Sequence, residues 1–536
     1  MNNGCIATLA RVVLWAGLLF CLTAPKPAAG LGAPGFSAMI NFQTNRSTSI
    51  SNYLIDVGDA FPHTQNNCAY GWNVDNTANA FDRGTISADR RLGTGIKMQT
   101  GTNSYYWQIQ VPNGIYDVQV LAGDPTDTNA TLSGTRYNLN VGTTPAVVDG
   151  RPSSSTWLFG TNHIQTTVTN RLLVVSNGPN AVNNRILCIS IQQVAPIFWG
   201  ALVADNPTNW PYYSKAPADY FGESKPGVLG YFESHTGKKI SMLLYGLGGF
   251  GLPYTNTQGA AGMWARGTIP FWDSDIGSSQ SISNVVEGYC DSSITNLALR
   301  FKNYGKPMFF CFCREMNGNW YAWSEINKAN TNAHRINPTR YSFTNMWVYV
   351  HDKFTSLGCT NVTWVWTVDQ VSTDAWHQNP VTSLYPGDKY VDWLGMDIYN
   401  VNNSPGQWFV PRYSPTYNYL VTNFPNKPIL IKEIGTDPTL TATPKPAWIS
   451  DFLHQLPSAF PNIRAFTWFD WNANSTNHNS NWPIEGGDNY IAYTNNPPID
   501  WASVAAFSNG IASPFYLSNI FVNQTNITLA PSVGSA

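Results

Sequence analysis

Eight short apolar runs, separated by stretches with helical spacing, occupy the chain from Ile197 to Asp470 and strongly limit what it can fold into. They begin near Ile197 (I-F-W-G-A-L-V), Ile240 (I-S-M-L-L-Y-G), Thr268 (T-I-P-F-W-D), Met308 (M-F-F-C-F-C), Val362 (V-T-W-V-W-T-V), Val391 (V-D-W-L-G-M-D), Pro428 (P-I-L-I-K-E) and Ile463 (I-R-A-F-T-W-F-D). Before the fourth run, Ile282, Val285, Val286, Tyr289, Ile294, Leu297 and Phe301 recur at the three-to-four spacing of a helix face, as do Trp448, Ile449, Phe452, Leu453 and Leu456 before the eighth. A strand that is apolar throughout must be covered on both faces, the condition of a parallel sheet flanked by helices. Residues 196–518 are therefore predicted to form an α/β fold, a TIM (β/α)8 barrel whose site lies at the C-terminal ends of its strands.

Residues 36–195 read differently, as short alternating strands with Gly, Asn, Ser and Thr between them, and predict an N-terminal antiparallel β-sandwich. Trp107, Ile109 and Val111 alternate with Gln108 and Gln110, and Pro112-Asn113-Gly114 then leads into Tyr116, Val118 and Val120, the pattern of a hairpin. No catalytic constellation is visible in this half, and Trp72 and Trp107 read as core residues. The phrases I-N-F-Q (40–43), Y-L-I-D-V-G-D-A-F (53–61), Y-G-W-N (70–73), V-P-N-G-I-Y-D-V (111–118) and A-G-D-P (122–125) resemble malectin-like jelly-roll carbohydrate-binding modules, which implies that this module binds glycan.

At the N-terminus, Arg11 precedes the apolar run Val12–Ala24, too short at 13 residues to span a bilayer that needs about 20. Small residues follow at Ala28–Gly30, so residues 1–30 are expected to be a signal peptide and the protein secreted or periplasmic. The six cysteines beyond it (Cys68, Cys188, Cys290, Cys311, Cys313, Cys359) include no C-x-x-C, and no H-E-x-x-H occurs, so neither a metal nor an organic cofactor is expected. Gly246, Gly248 and Gly251 spell G-x-G-x-x-G, but Pro253 follows where a dinucleotide fingerprint needs a helix. The near-balance of 30 Lys+Arg against 32 Asp+Glu, with no basic run, excludes a nucleic-acid partner. No later segment is long and apolar enough to span a membrane, a monomer is expected, and the polar stretch 519–536 reads as a tail.

If the barrel forms, the polar residues that close its apolar runs should line the site. These are Asp273, Asp275, Glu315, Asp369, Asp397, Tyr399, Glu433 and Asp470, with Trp468 and Trp471 beside them. Carboxylates next to indole rings suit carbohydrate, because a sugar stacks its C–H face on an aromatic ring while its hydroxyls need acceptors. Two carboxyl groups flanking a glycosidic bond suffice for hydrolysis, and Glu315 and Glu433 are the candidate pair.

The motifs F-C-F-C-R-E-M-N-G-N-W-Y-A-W-S (310–324), V-T-W-V-W-T (362–367), Y-P-G-D-K-Y-V-D-W-L-G-M-D-I-Y-N (385–400) and P-I-L-I-K-E-I-G (428–435) resemble glycoside hydrolase family 26, best known for endo-β-1,4-mannanases. The resemblance implies a retaining endo-hydrolase of mannan, glucomannan or galactomannan, with Glu315 as acid/base and Glu433 as nucleophile. It also implies substrate contacts from Trp320, Asp397 and Tyr399, and Trp468 is added from its place at a strand end. In that family a His usually precedes the acid, whereas here Arg314 does, at a position expected to donate a hydrogen bond to the sugar near its 2-hydroxyl, and its larger, permanent charge would hold Glu315 ionised and spoil a general acid. Three readings therefore stand: a β-mannanase, a β-1,3-1,4-glucanase or β-1,3-xylanase using the same carboxylates, and a catalytically weak glycan-binding protein. His377, between the fifth and sixth runs, is within reach of the cleft but reads first as an ordinary loop residue.

Overall fold

The computed structural model describes residues 36–127, 134–160, 164–194, 196–203, 228–249, 257–327, 337–401, 406–471, 482–485 and 499–519. The expected signal peptide, Gly251 and Pro253 of the glycine-rich stretch, and the tail beyond residue 519 lie outside the described residues. The chain divides into two compact units, one ending at residue 195 and one beginning at residue 196.

The first unit is all-β, with an eight-stranded and a six-stranded sheet. Their inner faces share one apolar cluster, to which Ile40, Phe42, Val118, Val120 and Ile189 come from one sheet and Trp72, Trp107, Ile109, Leu139 and Val175 from the other. Pairing is antiparallel between the strands except where Ser37–Phe42 runs parallel to Leu54–Asp56. The expected hairpin at 107–120 does not form. Trp107–Gln110 pairs with Leu172–Asn177 and Cys68–Trp72 in one sheet, while Gly114–Gly123 pairs with Ile164–Val168 and Arg185–Val194 in the other. Alternation tells which side chains face the core, and both strands do face it, from opposite sides, so Pro112-Asn113-Gly114 carries the chain between sheets. Trp72 and Trp107 are fully buried, and both indole N–H groups donate to Asp56 at 2.9 Å. These two rings are core.

The second unit is a closed barrel of eight parallel strands: β1 (Ile197–Val203), β2 (Met242–Gly249), β3 (Ile269–Asp275), β4 (Met308–Phe312), β5 (Val362–Asp369), β6 (Trp393–Asn400), β7 (Ile429–Thr436) and β8 (Ile463–Asp470). It closes because β1 pairs with both β2 and β8. Every expected apolar run is one of these strands. Their side chains divide between two clusters. Leu244, Phe271, Phe309, Val365, Trp393, Leu430 and Phe469 form a cluster built only from strands and the segments that follow them, filling the lumen. Trp272, Phe310, Trp366, Ile431, Phe466 and Trp468 face the helices.

The α-helices described in this second unit are α1 (Val228–Thr236), α2 (Thr257–Ala265), α3 (Ile282–Val286), α4 (Asp291–Tyr304), α5 (Phe343–Ser356), α6 (Phe409–Asn423), α7 (Lys445–Ala459) and α8 (Trp501–Ile511). The periodic stretch from Ile282 to Phe301 is two helices, broken where Gly288 turns left-handed at φ 84°. Among the described residues no helix is long and apolar enough to cross a membrane.

Candidate active site

The chain immediately after β4 is held in an uncommon backbone conformation. Cys313 and Glu315 have φ of 53° and 52°, the left-handed region that residues with a side chain seldom occupy. Two backbone bonds hold it: Cys313 N–H donates to the Ser274 carbonyl on β3 at 2.9 Å, and Glu315 N–H to the Thr367 carbonyl on β5 at 2.8 Å. Glu315 is thereby clipped between its neighbouring strands at the barrel mouth. The Trp320 indole folds back and donates to Glu315 Oε2 at 2.9 Å. This return needs Gly318, where a Cβ would lie 2.3 Å from the Trp320 ring.

Arg314 pairs with the carboxylates of β3. Its Nη1 lies 3.2 Å from Asp273 Oδ1 and 3.6 Å from Asp275 Oδ2, and its guanidinium sits 4.9 Å from the centre of the Tyr321 ring. Trp323 holds the Arg314 carbonyl through an indole hydrogen bond of 2.7 Å.

Opposite, β7 carries a bulge. Met396 pairs with Ile431 but the next residue, Asp397, pairs with Glu433, so β7 has one residue more than its neighbour. The consequence is that Lys432 and Glu433, consecutive residues that a regular strand would send to opposite faces, both reach into the site. The fully buried Lys432 ammonium lies 2.9 Å from Asp273 Oδ2 and 3.0 Å from Asp397 Oδ2, and touches Glu433 Oε1. The Tyr399 hydroxyl donates to Glu433 Oε2 at 2.6 Å. Both oxygens of Glu433 thus face a donor. Tyr399 is stacked on Trp482, with ring centroids 4.3 Å apart and planes at 23°.

Glu315, Asp397 and Glu433 each bring a carboxylate oxygen within 4.8 Å of the others. Burial pushes the Glu315 carboxyl up to about 8, helped by the charges of Asp369 and Glu433 and opposed by Arg314 and Lys432. Burial also raises Asp397 well above the ordinary range, with Glu433 and Glu315 adding to it and Lys432 opposing. For Lys432 burial works against the charge, but Asp273, Asp397 and Glu433 together outweigh it and hold the ammonium protonated. A cation could in principle bridge the three carboxylates, but Lys432 already supplies a tethered positive charge to two of them. The arrangement suits an ammonium better than a metal ion.

Removing that ammonium should be costly. Lys432→Met leaves Asp397 and Glu433 buried without their cation, and the unfolding free energy from urea titration should fall by about 3–5 kcal/mol.

The structure thus brings Glu315, Glu433, Arg314, Trp320, Asp397 and Tyr399 to one end of the barrel. It does not bring Trp468 there. Trp468 is fully buried on the helix side of β8, its ring centroid 5.4 Å from that of Phe507 on α8, and its indole supports the Trp482 carbonyl at 3.1 Å. Alternation along β8 turns Trp468 outward and leaves Phe469 and Trp471 in the lumen cluster. Asp470 also serves the frame, accepting from the Ile484 N–H at 2.9 Å. Three residues of the site escape sequence reasoning. Lys432 had a signal, a charge inside an apolar run, and His377 was noticed but read as a loop residue, whereas Trp482 sits in a polar connection with nothing to mark it.

Residues 255–437 match the family model described as glycosyl hydrolase family 26. Over that segment the chain is similar to glycosyl hydrolase family 26. It is 30% identical over 206 residues to endoglucanase H of Acetivibrio thermocellus, covering 36% of this chain and 21% of that protein. It is 28% identical over 145 residues to a mannan endo-1,4-beta-mannosidase of Bacillus subtilis, covering 27% of this chain and 34% of the relative. The chain therefore spans between a fifth and about a third of the length of these curated relatives. Among solved structures, the family 26 domain of an endo-beta-mannanase/endo-beta-glucanase from Prevotella bryantii aligns at 18% identity and a TM-score of 0.40, covering 61% of this chain and 92% of that one. Glu315, Asp369, Asp397 and Glu433 all fall inside the matched family 26 segment, while Trp468 and Trp482 lie beyond it.

Proposed function

We propose that the chain is a secreted, retaining endo-hydrolase of β-linked polysaccharide, with Glu315 as acid/base and Glu433 as nucleophile. The observation that carries this reading is the facing pair itself, with carboxylate oxygens within 4.8 Å. Retaining glycosidases hold their carboxyl groups about 5–5.5 Å apart, whereas inverting ones leave about 6.5–9.5 Å for a water between them. Glu315 keeps its proton at neutral pH and can protonate the leaving oxygen, while Glu433, its charge met by Lys432 and Tyr399, attacks the anomeric carbon. The glycosyl ester formed on Glu433 is then hydrolysed by water that Glu315, now a carboxylate, deprotonates. Asp397 Oδ1, buried without a hydrogen-bond partner, is available to a sugar hydroxyl.

Arg314 bears on the rival reading of a weak glycan-binding protein, whose premise is that its charge disables Glu315. Its engagement by Asp273 and Asp275 and the elevated Glu315 favour the hydrolase.

The substrate reading is β-1,4-mannan, by likeness to the mannosidase of Bacillus subtilis; the endoglucanase likeness supports a second reading, a β-glucan. Reducing-end release from glucomannan, galactomannan, lichenan and β-1,3-xylan tests both. Activity on the mannans is expected, activity on lichenan alone would move the substrate to β-glucan, and none on any polymer would overturn the hydrolase. For residues 36–195 we propose glycan binding, so the same polymers cast into a native gel should retard the full chain carrying Glu433→Ala, and unchanged migration would remove that role. Secretion rests on the Val12–Ala24 run, and a mature N-terminus near residue 30 is expected by Edman sequencing.

Trp376 extends the aromatic surface of the mouth. It is 63% exposed and adjoins His377, whose ring packs edge-on against Trp320. Trp376→Ala should raise KM on polymer about three- to tenfold with little change in kcat, the loss of one stacking face.

A further inference from the structure

The connection after β5 carries an ion pair that the two-carboxylate mechanism does not use. His377 is held at both nitrogens, Nε2 lying 2.7 Å from Asp369 Oδ2 and Nδ1 2.7 Å from Asp374 Oδ1. A ring that meets a carboxylate at each nitrogen donates at both only as the imidazolium. Its side chain is 4% exposed, so the charge is enclosed rather than solvated. Burial works against it, but the two aspartates together outweigh burial and hold His377 above its ordinary value.

The same ring is tied to the general-acid candidate by a second route. It packs edge-on against Trp320, with centroids 5.4 Å apart and planes at 86°, and Trp320 donates to Glu315 Oε2. The backbone closes the frame. Gly318 bridges to His377, Gln378 N–H donates to the Asn317 carbonyl at 2.6 Å, and the Asp369 N–H donates to Asn317 Oδ1 at 2.9 Å. The connections after β4 and β5 are therefore one braced unit, with Asp369 and His377 on one side and Trp320 and Glu315 on the other.

We propose that Asp369 and His377 are positioning residues for Glu315: the Asp369 carboxylate presents a negative charge beside the general-acid candidate, and His377 offsets that charge by pairing with it while fixing the indole that bonds Glu315 Oε2. Glu315 is also faced by Glu433 and Asp397, by the cations Arg314 and Lys432, and by the hydroxyls of Tyr321 and Tyr399. Among these, Glu433, Asp397, Lys432 and Tyr399 belong to the site floor, and Arg314 is committed to Asp273 and Asp275. Asp369 and His377 are the pair that can be altered without touching the floor.

The role assigned to Glu315 rests on the hydrolase reading, so the test reads its protonation directly. In the full chain labelled with 13C at the glutamate side-chain carboxyls, the Glu315 resonance is the one lost in Glu315→Gln, and its titration is followed with pH. Asp369→Asn, which keeps the shape and hydrogen-bonding capacity but removes the charge, should lower the Glu315 midpoint by about one unit. His377→Gln leaves Asp369 uncompensated and should raise it. The basic limb of kcat/KM should move in the same two directions, with kcat changing more than KM. A merely structural role would not produce opposite shifts. A Glu315 midpoint unmoved by Asp369→Asn, or moved the same way by both variants, overturns the proposal, and Asp369→Asn alone decides it if His377→Gln does not fold. Opposite shifts without turnover on any polymer would instead overturn the hydrolase and leave the electrostatic coupling standing.

Discussion

Glu433→Ala should lose hydrolysis of the preferred polymer by about 10⁴-fold or more, because the proposed covalent intermediate forms on the Glu433 carboxylate. On the proposed mechanism the carboxylate attacks from a floor that already holds a matching charge. Lys432 touches one oxygen and the Tyr399 hydroxyl bonds the other at 2.6 Å. In the variant these two donors face an empty space of carboxylate size. That space should admit a small anion such as azide or formate, which can attack the anomeric carbon in place of the side chain. Azide should therefore restore turnover of an aryl glycoside and yield a glycosyl azide of inverted configuration, whereas the wild-type product retains it. Undiminished hydrolysis in Glu433→Ala, or rescue with retained configuration, would assign the nucleophile elsewhere.

Glu315→Gln should cost about 10²–10⁴ in kcat/KM on polymer and much less on substrates whose leaving group needs no proton. It should also remove the basic limb of the wild-type pH profile. The sign follows from the direction of the shift. On the proposed mechanism Glu315 acts in its protonated form, and burial with Asp369 and Glu433 raises it from 4.5 to about 8, so wild-type activity should persist through neutrality and fall as pH rises through about 8. The same shift bears on stability. A carboxyl that binds its proton more tightly folded than unfolded stabilises the fold below about pH 4.5, and that contribution is lost progressively up to about pH 8. Glutamine mimics the protonated acid, so at pH 9 the variant should unfold at higher denaturant than wild type. A basic limb that stays in Glu315→Gln would place the acid elsewhere.

The barrel was legible because a parallel strand covered on both faces leaves an uninterrupted apolar run, and eight of these stand out between helical spacings. The carboxyl pair was legible for a related reason: Glu315 and Glu433 are charges at or near the ends of such runs, where an open barrel mouth is the one place that accepts them. What went unread was side-chain direction and partner choice. Alternation placed Trp107 and Val118 correctly against a core but not in different sheets, since it reports a face and says nothing of which strand lies alongside. Trp468 was placed in the cleft because it lies near a strand end, yet one step of the same alternation sends it to the helices. Lys432 and Glu433 both point into the site only because β7 gains a residue against β6, and a bulge has no signature in apolar patterning.

The sequence by itself determined the fold class and the chemical class of the site, because burial and charge are properties of residues and their spacing along a chain. Only the tertiary structure decided that Arg314 pairs with Asp273 and Asp275, that Lys432 clamps the floor, and that His377 braces both Asp369 and the distant Trp320. Each is a matter of a few ångströms between groups on different strands or the connections that follow them. Coulomb interactions at that range depend on position, and position is set by register, bulges and loop closure across the barrel.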